Sequence, residues 1–281
     1  MTALWDRAGI FSERMVRGRS WGVVGVVLAV AASIGAVAFV VTRDRNAEVP
    51  VGCRVSLNGV TYTMSPEQTA HATTIAAVGK RMGMPDHAVS VALAAALQES
   101  KLHNLEHGDR DSLGLFQQRP SQGWGTASEV LTPHYAASAF YRRLAGIAGW
   151  ENLPVTTAAQ QVQRSGAPGA YAQWEHEARA IAQAATGEIP AGLNCRVDVR
   201  PAQSSGRPLR EALTREVGPL TIDVPLPEAR GWTVAAWLVG HAQQFGVSQV
   251  AFAGQAWTPS SGRWVASGGP VDMTVRVTEE R

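Results

Sequence analysis

The chain has 281 residues, which at about 150 residues per domain predicts two domains. Hydrophobic residues make up 45% and charged residues 17%, so the chain is not a disordered polymer, and a mean hydropathy of −0.06 excludes a protein that crosses the membrane many times. The net charge of +2 gives no argument for a nucleic-acid partner, and two cysteines exclude both a disulfide-rich mini-fold and a four-cysteine zinc site.

The chain begins with a basic tail and a long uncharged segment. Residues 21–42 contain no charged side chain and can cross about 30 Å of hydrocarbon, so we expect a single transmembrane helix. Residues 1–20 carry four arginines, which places this tail in the cytoplasm and the rest of the chain outside. The alternative is a cleaved signal peptide, because Ala36-Val37-Ala38 has the small-x-small form of a cleavage site. The apolar run continues through Val41, which favours the uncleaved anchor.

The two cysteines, Cys53 and Cys195, bracket a stretch with helical patterning. In an oxidising compartment we expect a disulfide between them, which would close a long loop and stabilise the domain by about 2–4 kcal/mol. The alternative is two unpaired buried thiols. The sequence thus predicts a mainly α domain over residues 53–195.

Helix-capping signals divide this domain. Residues 65–68 (Ser-Pro-Glu-Gln) supply an N-cap, a first-turn proline and a capping-box glutamine for a helix that runs to about Met82. Asp86 is expected to cap the next helix, which is apolar almost all round and should be buried. Residues 103–127 are typical of a long ordered loop, and such loops in compact domains are usually functional. Further helices are expected over three ranges: 132–144, 156–164 and 168–187.

The sequence changes character after the second cysteine. Residues 196–215 are rich in proline, serine and glycine and predict a linker. Residues 216–281 predict a small α+β domain with an amphipathic helix over 233–245, on which His241 is expected at the surface. Its four tryptophans have spacings typical of a core, and a surface for sugars or envelope proteins is the alternative. Strands are expected over four ranges: 220–224, 247–252, 263–266 and 271–277.

Glu99 is the first candidate for chemistry. Seven of the eight residues before it are Val, Leu or Ala, so its carboxyl projects from the end of a buried helix. A half-apolar cleft at that place disfavours the charged form, as a general acid near neutral pH requires. The alternative from this pattern alone is an ordinary surface glutamate in the last helical turn.

The neighbouring motif favours the catalytic interpretation. Glu99-Ser100, followed fourteen residues later by Gly-Leu-Phe-Gln at 114–117, resembles the Glu-Ser and Gly-Leu-Met-Gln pair of soluble lytic transglycosylases and goose-type lysozymes. The resemblance covers residues 65–187, and the string GDRDSLGLFQQRPSQGWGT resembles an actinobacterial, membrane-anchored branch of this lysozyme-like superfamily. It implies a lysozyme-like fold at the bacterial cytoplasmic membrane. It also implies cleavage of the β-1,4 bond between N-acetylmuramic acid and N-acetylglucosamine in peptidoglycan glycan strands, without a cofactor.

The resemblance implies a role for each matching residue. Glu99 would protonate the glycosidic oxygen and then, as a base, help the muramoyl C6 hydroxyl to close a 1,6-anhydro ring. Ser100 would support the substrate or Glu99 through hydrogen bonds, while Gly114 and Gln117 would line the cleft. Trp124 would stack on a sugar ring, and a core position under the loop is the alternative.

One segment departs from the family. The family's Tyr-Asn-x-Gly corresponds to residues 163–166 (Gln-Arg-Ser-Gly), so the tyrosine and asparagine that hold substrate are replaced. Tyr171, five residues after the glycine, would fill the aromatic place. This departure supports a second hypothesis, in which the protein is a non-catalytic glycan-binding or scaffolding component of a cell-envelope assembly.

Asp109 and Asp111 are candidates for a second carboxylate. Glycosidases with two carboxylates hold them about 5–9.5 Å apart, and an aspartate facing Glu99 would make hydrolysis possible in place of transglycosylation. The alternative for both is a solvated loop position.

The same loop contains a metal motif. His103, Glu106 and His107 match the H-x-x-E-H pattern of some zinc proteases. Two histidines at this spacing bind one zinc only on a continuous helix, and Gly108 follows at once. We therefore predict surface histidines and no metal site.

Overall fold

The computed structural model describes residues 50–199, 207–220, 224–268 and 271–280. The expected cytoplasmic tail and transmembrane segment, residues 1–20 and 21–42, lie outside these ranges. Within the described ranges, no helix combines the length and apolar character that a membrane span requires.

Nine α-helices and two antiparallel sheets make up the described part of the chain, numbered here in chain order. The helices are α1 (Pro66–Arg81), α2 (Asp86–Ser100), α3 (Ala127–Val130), α4 (Pro133–Ala145), α5 (Val155–Gln163), α6 (Glu175–Thr186), α7 (Arg207–Glu216), α8 (Glu228–Gly240) and α9 (Ala242–Phe245). The strands are β1 (Gly52–Leu57), β2 (Val60–Met64), β3 (Asn194–Arg196), β4 (Val247–Phe252), β5 (Gln255–Trp257), β6 (Trp264–Ala266) and β7 (Arg276–Glu279). The fold is therefore mixed, with helices dominating the region between the cysteines.

The first sheet joins the two ends of that region. Its strand order is β2-β1-β3, and β1 and β2 form a hairpin around Asn58-Gly59, where φ is 50° and 80°. Cys53 on β1 lies directly opposite Cys195 on β3, and the predicted disulfide between them is confirmed. The sheet itself was not expected, although Asn-Gly between alternating residues is a strong hairpin signal.

The capping box predicted for α1 is confirmed. The Ser65 Oγ accepts the backbone N–H of Gln68 at 3.1 Å, and the Gln68 Oε1 accepts the backbone N–H of Ser65 at 2.8 Å. α2 is buried as expected, but the prediction of its cap is wrong. Pro85 holds the N-cap position, and Asp86 is the first helical residue, where it accepts a hydrogen bond from Lys80 Nζ at 2.7 Å. A carboxylate in the first turn still stabilises the positive end of the helix.

The segment after Cys195 packs on the earlier helices. Every residue of α8 from Gly231 to Gly240 is buried, because the helix contacts α1, α6 and β4. The prediction of an amphipathic helix over 233–245 is thus wrong, because α8 is a core helix that ends at Gly240. His241, which was expected at the surface, is only 4% exposed. The second half of the expected linker is helical, as α7, and the described residues from Pro50 onward group as one compact unit.

Several hydrogen bonds connect this segment to the region between the cysteines, and three of them are donated by its side chains to backbone carbonyl oxygens. They are Trp257 Nε1 to the carbonyl of Cys195 (3.0 Å), Trp264 Nε1 to the carbonyl of Leu193 (3.0 Å) and Thr233 Oγ1 to the carbonyl of Thr186 (2.7 Å). Trp232, Trp237 and Trp257 are buried, as their spacing predicted, and Trp264 is partly buried against the same core.

The second sheet has the strand order β6-β5-β4-β7. β4 covers the predicted range 247–252, and β6 lies within the predicted range 263–266. β5 was not expected, and the last strand begins at Arg276, not at residue 271. The centre of the strand predicted over 220–224 lies outside the described residues.

Candidate active site at the end of α2

Glu99 lies half-buried in the last turn of α2, where the sequence placed it. The phenolic hydroxyl of Tyr171 donates a hydrogen bond to its Oε1 at 2.7 Å. Tyr171 is fully buried, and burial together with the adjacent carboxylate raises its pKa far above the usual value. The tyrosine therefore stays protonated near neutral pH and fixes the orientation of the Glu99 carboxyl.

Ser100 connects the helix end to the Gly-Leu-Phe-Gln turn. Its Oγ lies 2.7 Å from the carbonyl oxygen of Leu115 and 3.1 Å from that of Ala96, and its single proton is shared between them. From the other side, Gln163 Nε2 donates to the carbonyl oxygen of Phe116 at 2.7 Å. The turn is thus held beside Glu99 by two side chains, and Ser100 acts on the turn rather than on the carboxyl.

Gly114 and Gln117 shape the turn. Gly114 has a φ of 76°, and a Cβ there would lie 2.4 Å from the carbonyl oxygen of Val130, so the position requires glycine. Gln117 Nε2 lies 3.3 Å from the carbonyl oxygen of Gly114 and 3.4 Å from that of His107. A Cβ on Gly108 would lie 1.8 Å from Gln117 Oε1. The Gln117 side chain therefore lies across the loop.

The backbone around Glu99 is rich in left-handed conformations. Each such residue other than glycine costs about 1–3 kcal/mol and persists where its surroundings fix it, commonly at functional sites. Five of the eight described non-glycine residues with positive φ lie in the segments that surround Glu99: Lys101, Leu102, Arg110, Gln117 and Arg164.

Two side chains of α1 hold the strained end of α2. Gln68 Nε2 donates to the carbonyl oxygen of Lys101 at 2.9 Å, and His71 Nδ1 donates to that of Leu102 at 2.7 Å. Glu99 is therefore fixed by its own hydrogen bond and by the backbone that follows it.

A polar group that the sequence analysis missed lies next to Glu99. Gln98 Oε1 accepts hydrogen bonds from Trp174 Nε1 at 2.8 Å and from Gln173 Nε2 at 3.1 Å. The Lys101 ammonium lies 3.9 Å from the centroid of the half-buried Trp174 ring. Partial burial lowers the pKa of Lys101, although the carboxylates of Glu177 and Glu99 oppose this shift. The sequence signal for this group was Trp174, which lies between Gln173 and Glu175 and three residues after Tyr171.

Trp124 lies in a core position under the loop, which was the alternative to stacking on a sugar ring. It is 6% exposed, and the guanidinium of Arg143 lies 3.5 Å from its ring centroid. Arg143 Nη2 also donates to the carbonyl oxygen of Gln122 at 3.0 Å. Because the ring is buried and covered, it offers no open face for a sugar in this structure.

The two loop aspartates have different surroundings. Asp109 is exposed and lies 3.8 Å from Arg110 Nε. Asp111 accepts the backbone N–H of Ser121 at 2.8 Å and Arg119 Nε at 2.7 Å, and these contacts hold its pKa well below the usual range. Asp111 therefore anchors the loop, and Asp109 is the solvated residue that the alternative expected.

The H-x-x-E-H string is not helical. α2 ends at Ser100, and His103 pairs with Glu67, with 3.6 Å between Nδ1 and Oε2. The continuous helix that would let His103 and His107 bind one zinc is absent from this described segment. Among the described residues, no three His, Cys, Asp or Glu side chains form a group that could hold a metal ion.

No protein-family model matches this sequence, and a search of curated proteins gives no significant match. A functional assignment therefore depends on the geometry around Glu99 and on the motif resemblance.

Proposed function

We propose that this protein is a membrane-anchored enzyme with a lysozyme-like fold that cleaves the MurNAc–GlcNAc β-1,4 bond of peptidoglycan by lytic transglycosylase-type chemistry. The observation that carries the proposal is the 2.7 Å hydrogen bond from Tyr171 to Glu99 at the end of a buried helix. Ser100 holds the Gly-Leu-Phe-Gln turn beside that helix end by donating to the carbonyl oxygen of Leu115.

Glu99 serves as the general acid in the first step. Tyr171 engages Oε1, which leaves Oε2 for the glycosidic oxygen. Protonation of that oxygen lets the bond to C1 break through an oxocarbenium-like transition state. A carboxyl fixed by one hydrogen bond is already oriented for this transfer, which lowers the entropic part of the barrier.

The same carboxylate serves as the base in the second step. It takes the proton of the muramoyl C6 hydroxyl while the hydroxyl oxygen attacks C1 and closes the 1,6-anhydro ring. The proton returns to Glu99, and no water is consumed. Asp111 is occupied by Arg119 and Ser121, which favours a mechanism with one carboxylate over one with two.

The decisive experiment measures the release of anhydro-muropeptides from purified sacculi by the full chain in detergent micelles. We expect Glu99→Gln to reduce the rate by about 10²–10⁴-fold, as for the loss of a general acid–base. Glu106→Gln changes an exposed glutamate of the neighbouring loop and should leave the rate unchanged. Equal release of anhydro-muropeptides by wild type and Glu99→Gln would contradict the proposal.

Tyr171→Phe tests the positioning of the carboxyl. It removes only the hydroxyl that donates to Glu99 and keeps the buried ring. We expect the rate to fall by about 10²-fold with sacculus binding unchanged, because the carboxyl loses its fixed orientation. An unchanged rate would mean that the hydrogen bond has no part in the reaction.

One observation favours the second candidate function, a glycan-binding or scaffolding protein. Gln163 stands where the family has a substrate-holding tyrosine, and its side chain is engaged with the carbonyl oxygen of Phe116. Sacculus binding by both wild type and Glu99→Gln, with soluble product from neither, would favour this role.

A further inference from the structure

A second polar cavity lies away from Glu99. It has a volume of about 660 Å³ and opens between the starts of α1 and α4 and the ends of α7 and α8. Its charged and titratable lining residues are Glu67, His71, His134, Arg215, Glu216 and His241.

Glu216 is the most deeply placed charge in this cavity. It is 8% exposed, and its Oε2 accepts hydrogen bonds from Thr74 Oγ1 at 2.6 Å and from Trp237 Nε1 at 2.8 Å. Its Oε1 has no hydrogen-bond partner in the described part of the chain, which leaves this oxygen for the cavity that the residue lines.

Among the described residues, no lysine or arginine forms an ion pair with Glu216. His241 Nε2 lies 3.8 Å from Glu216 Oε2, but His241 Nδ1 donates to the carbonyl oxygen of Trp237 at 2.9 Å. Burial lowers the pKa of His241, so the ring is neutral near pH 7. A buried carboxylate without a cation is costly, and a cation that enters the cavity would remove that cost.

Arg215 supplies the opposite charge. It precedes Glu216 on α7 and lines the same cavity with an exposed side chain. Its guanidinium forms no ion pair within the described ranges. A ligand with one positive and one negative group could therefore satisfy both residues.

We propose that this cavity binds a compact zwitterion of the amino-acid class, whose ammonium group pairs with Glu216 and whose carboxylate pairs with Arg215. The ammonium supplies the cation that the buried carboxylate lacks, and Arg215 recognises the carboxylate through a planar guanidinium. The proposal does not depend on the reaction at Glu99. Of the residues that hold Glu99 and its turn, only His71, which donates to the carbonyl oxygen of Leu102, also lines the cavity.

Calorimetric titration of the full chain in detergent micelles with L-glutamine tests the proposal. N-acetyl-L-glutamine lacks the ammonium group and L-glutamine amide lacks the carboxylate, and we expect each to bind at least about tenfold more weakly. If N-acetyl-L-glutamine binds as tightly as L-glutamine, the proposal is overturned. It is also overturned if L-glutamine does not bind at millimolar concentration.

Two variants locate the site. Glu216→Gln keeps an oxygen acceptor for Thr74 and Trp237 but removes the charge, and Arg215→Gln removes the guanidinium. We expect either to weaken L-glutamine binding at least about tenfold, while Glu228→Gln, an exposed glutamate on α8, leaves it unchanged. Thermal unfolding checks that each variant is folded, and unchanged affinity in a folded Glu216→Gln protein would contradict the assignment.

Discussion

Glu99 and Glu216 both lie at the ends of helices, and each accepts a hydrogen bond from an aromatic side chain. Tyr171 donates to Glu99 at 2.7 Å and Trp237 donates to Glu216 at 2.8 Å. Glu99 is half-buried among loops, whereas Glu216 is 8% exposed and accepts a second hydrogen bond from Thr74. Two carboxyl groups with similar contacts thus differ mainly in their access to solvent.

The two helix ends differ in backbone strain. α2 is followed by Lys101 and Leu102, with φ of 55° and 63°, where a glycine would be relaxed. α7 is followed by Val217 and then by Gly218, with φ of 104°. The strain is therefore at the more accessible carboxyl. A strained end that its neighbours fix suits the oriented carboxyl proposed for Glu99, and a relaxed end beside an open polar cavity suits the ligand-binding carboxylate proposed for Glu216.

The largest expected effect comes from truncating the buried carboxylate. Glu216→Ala leaves two buried donors, the Thr74 hydroxyl and the Trp237 indole N–H, without their acceptor, whereas Glu99→Ala leaves only the Tyr171 hydroxyl. We therefore expect the free energy of unfolding to fall by about 3 kcal/mol for Glu216→Ala and by about 1 kcal/mol for Glu99→Ala. Glu216→Gln keeps the acceptor and removes the charge, so it should be neutral or stabilising. Urea unfolding of the variants measures the comparison, and equal losses for the two alanine variants would contradict it.

Acid should lower the free energy of unfolding through the buried histidines around Glu216. Burial lowers the pKa of His71, His134 and His241, so the unfolded chain binds more protons than the folded chain below the usual histidine pKa. This stability is complete above about pH 6.5 and is lost as the pH falls toward the lower, folded-state values. Urea midpoints at about pH 7.5 and about pH 5.5 measure the loss.

The matched variant for the acid experiment is His241→Gln, which should reduce the difference between the two midpoints. A wild-type midpoint that does not fall with pH, or an unchanged difference in the variant, would show that the buried histidine does not carry the effect.

The smallest effects compare the two helix ends. Gly218→Ala forces a Cβ into a conformation that L-residues rarely adopt and should cost about 1 kcal/mol. Lys101→Gly relieves left-handed strain but loses the contact with the Trp174 ring, so we expect a change within about 0.5 kcal/mol. Thermal unfolding of the two variants measures both changes in stability. If Lys101→Gly lowers the stability as much as Gly218→Ala does, backbone strain does not distinguish the end of α2 from the end of α7.

Local signals predicted much of the helical region. The capping box at Ser65, the disulfide and the buried character of α2 depend on residues close in sequence or on the only two cysteines, and all are confirmed. In the first sheet, the pairing of β1 with β3 was missed because the two strands are far apart along the chain, whereas the β1–β2 hairpin had a local Asn-Gly signal that was overlooked. α8 was interpreted as amphipathic because the surfaces that bury its polar side, α1 and α6, are not visible from its own pattern.

In the candidate site, too, the local features were predicted and the contacts between distant residues were not. The position of Glu99 at a helix end followed from the apolar run before it. The motif resemblance indicated Tyr171 only as a substitute aromatic residue, and its hydrogen bond to Glu99, 72 positions away, was not predicted. No pattern indicated that Trp124 would be covered by Arg143, or that Gln163 would hold the turn. The Glu216 cavity was not expected at all, since its lining comes from helices assigned to separate regions.

The disulfide has a consequence for mechanical load. Cys53 lies three residues after Pro50 and is bonded to Cys195, whose carbonyl oxygen accepts the Trp257 indole N–H. A pulling force applied at the N-terminal end of the described chain therefore passes from β1 through the sulfur atoms to β3. The loop between the cysteines, which contains Glu99 and Tyr171, is bypassed by that force. Tension on this end of the chain can then unfold the first residues without drawing the carboxyl away from its hydrogen-bond donor.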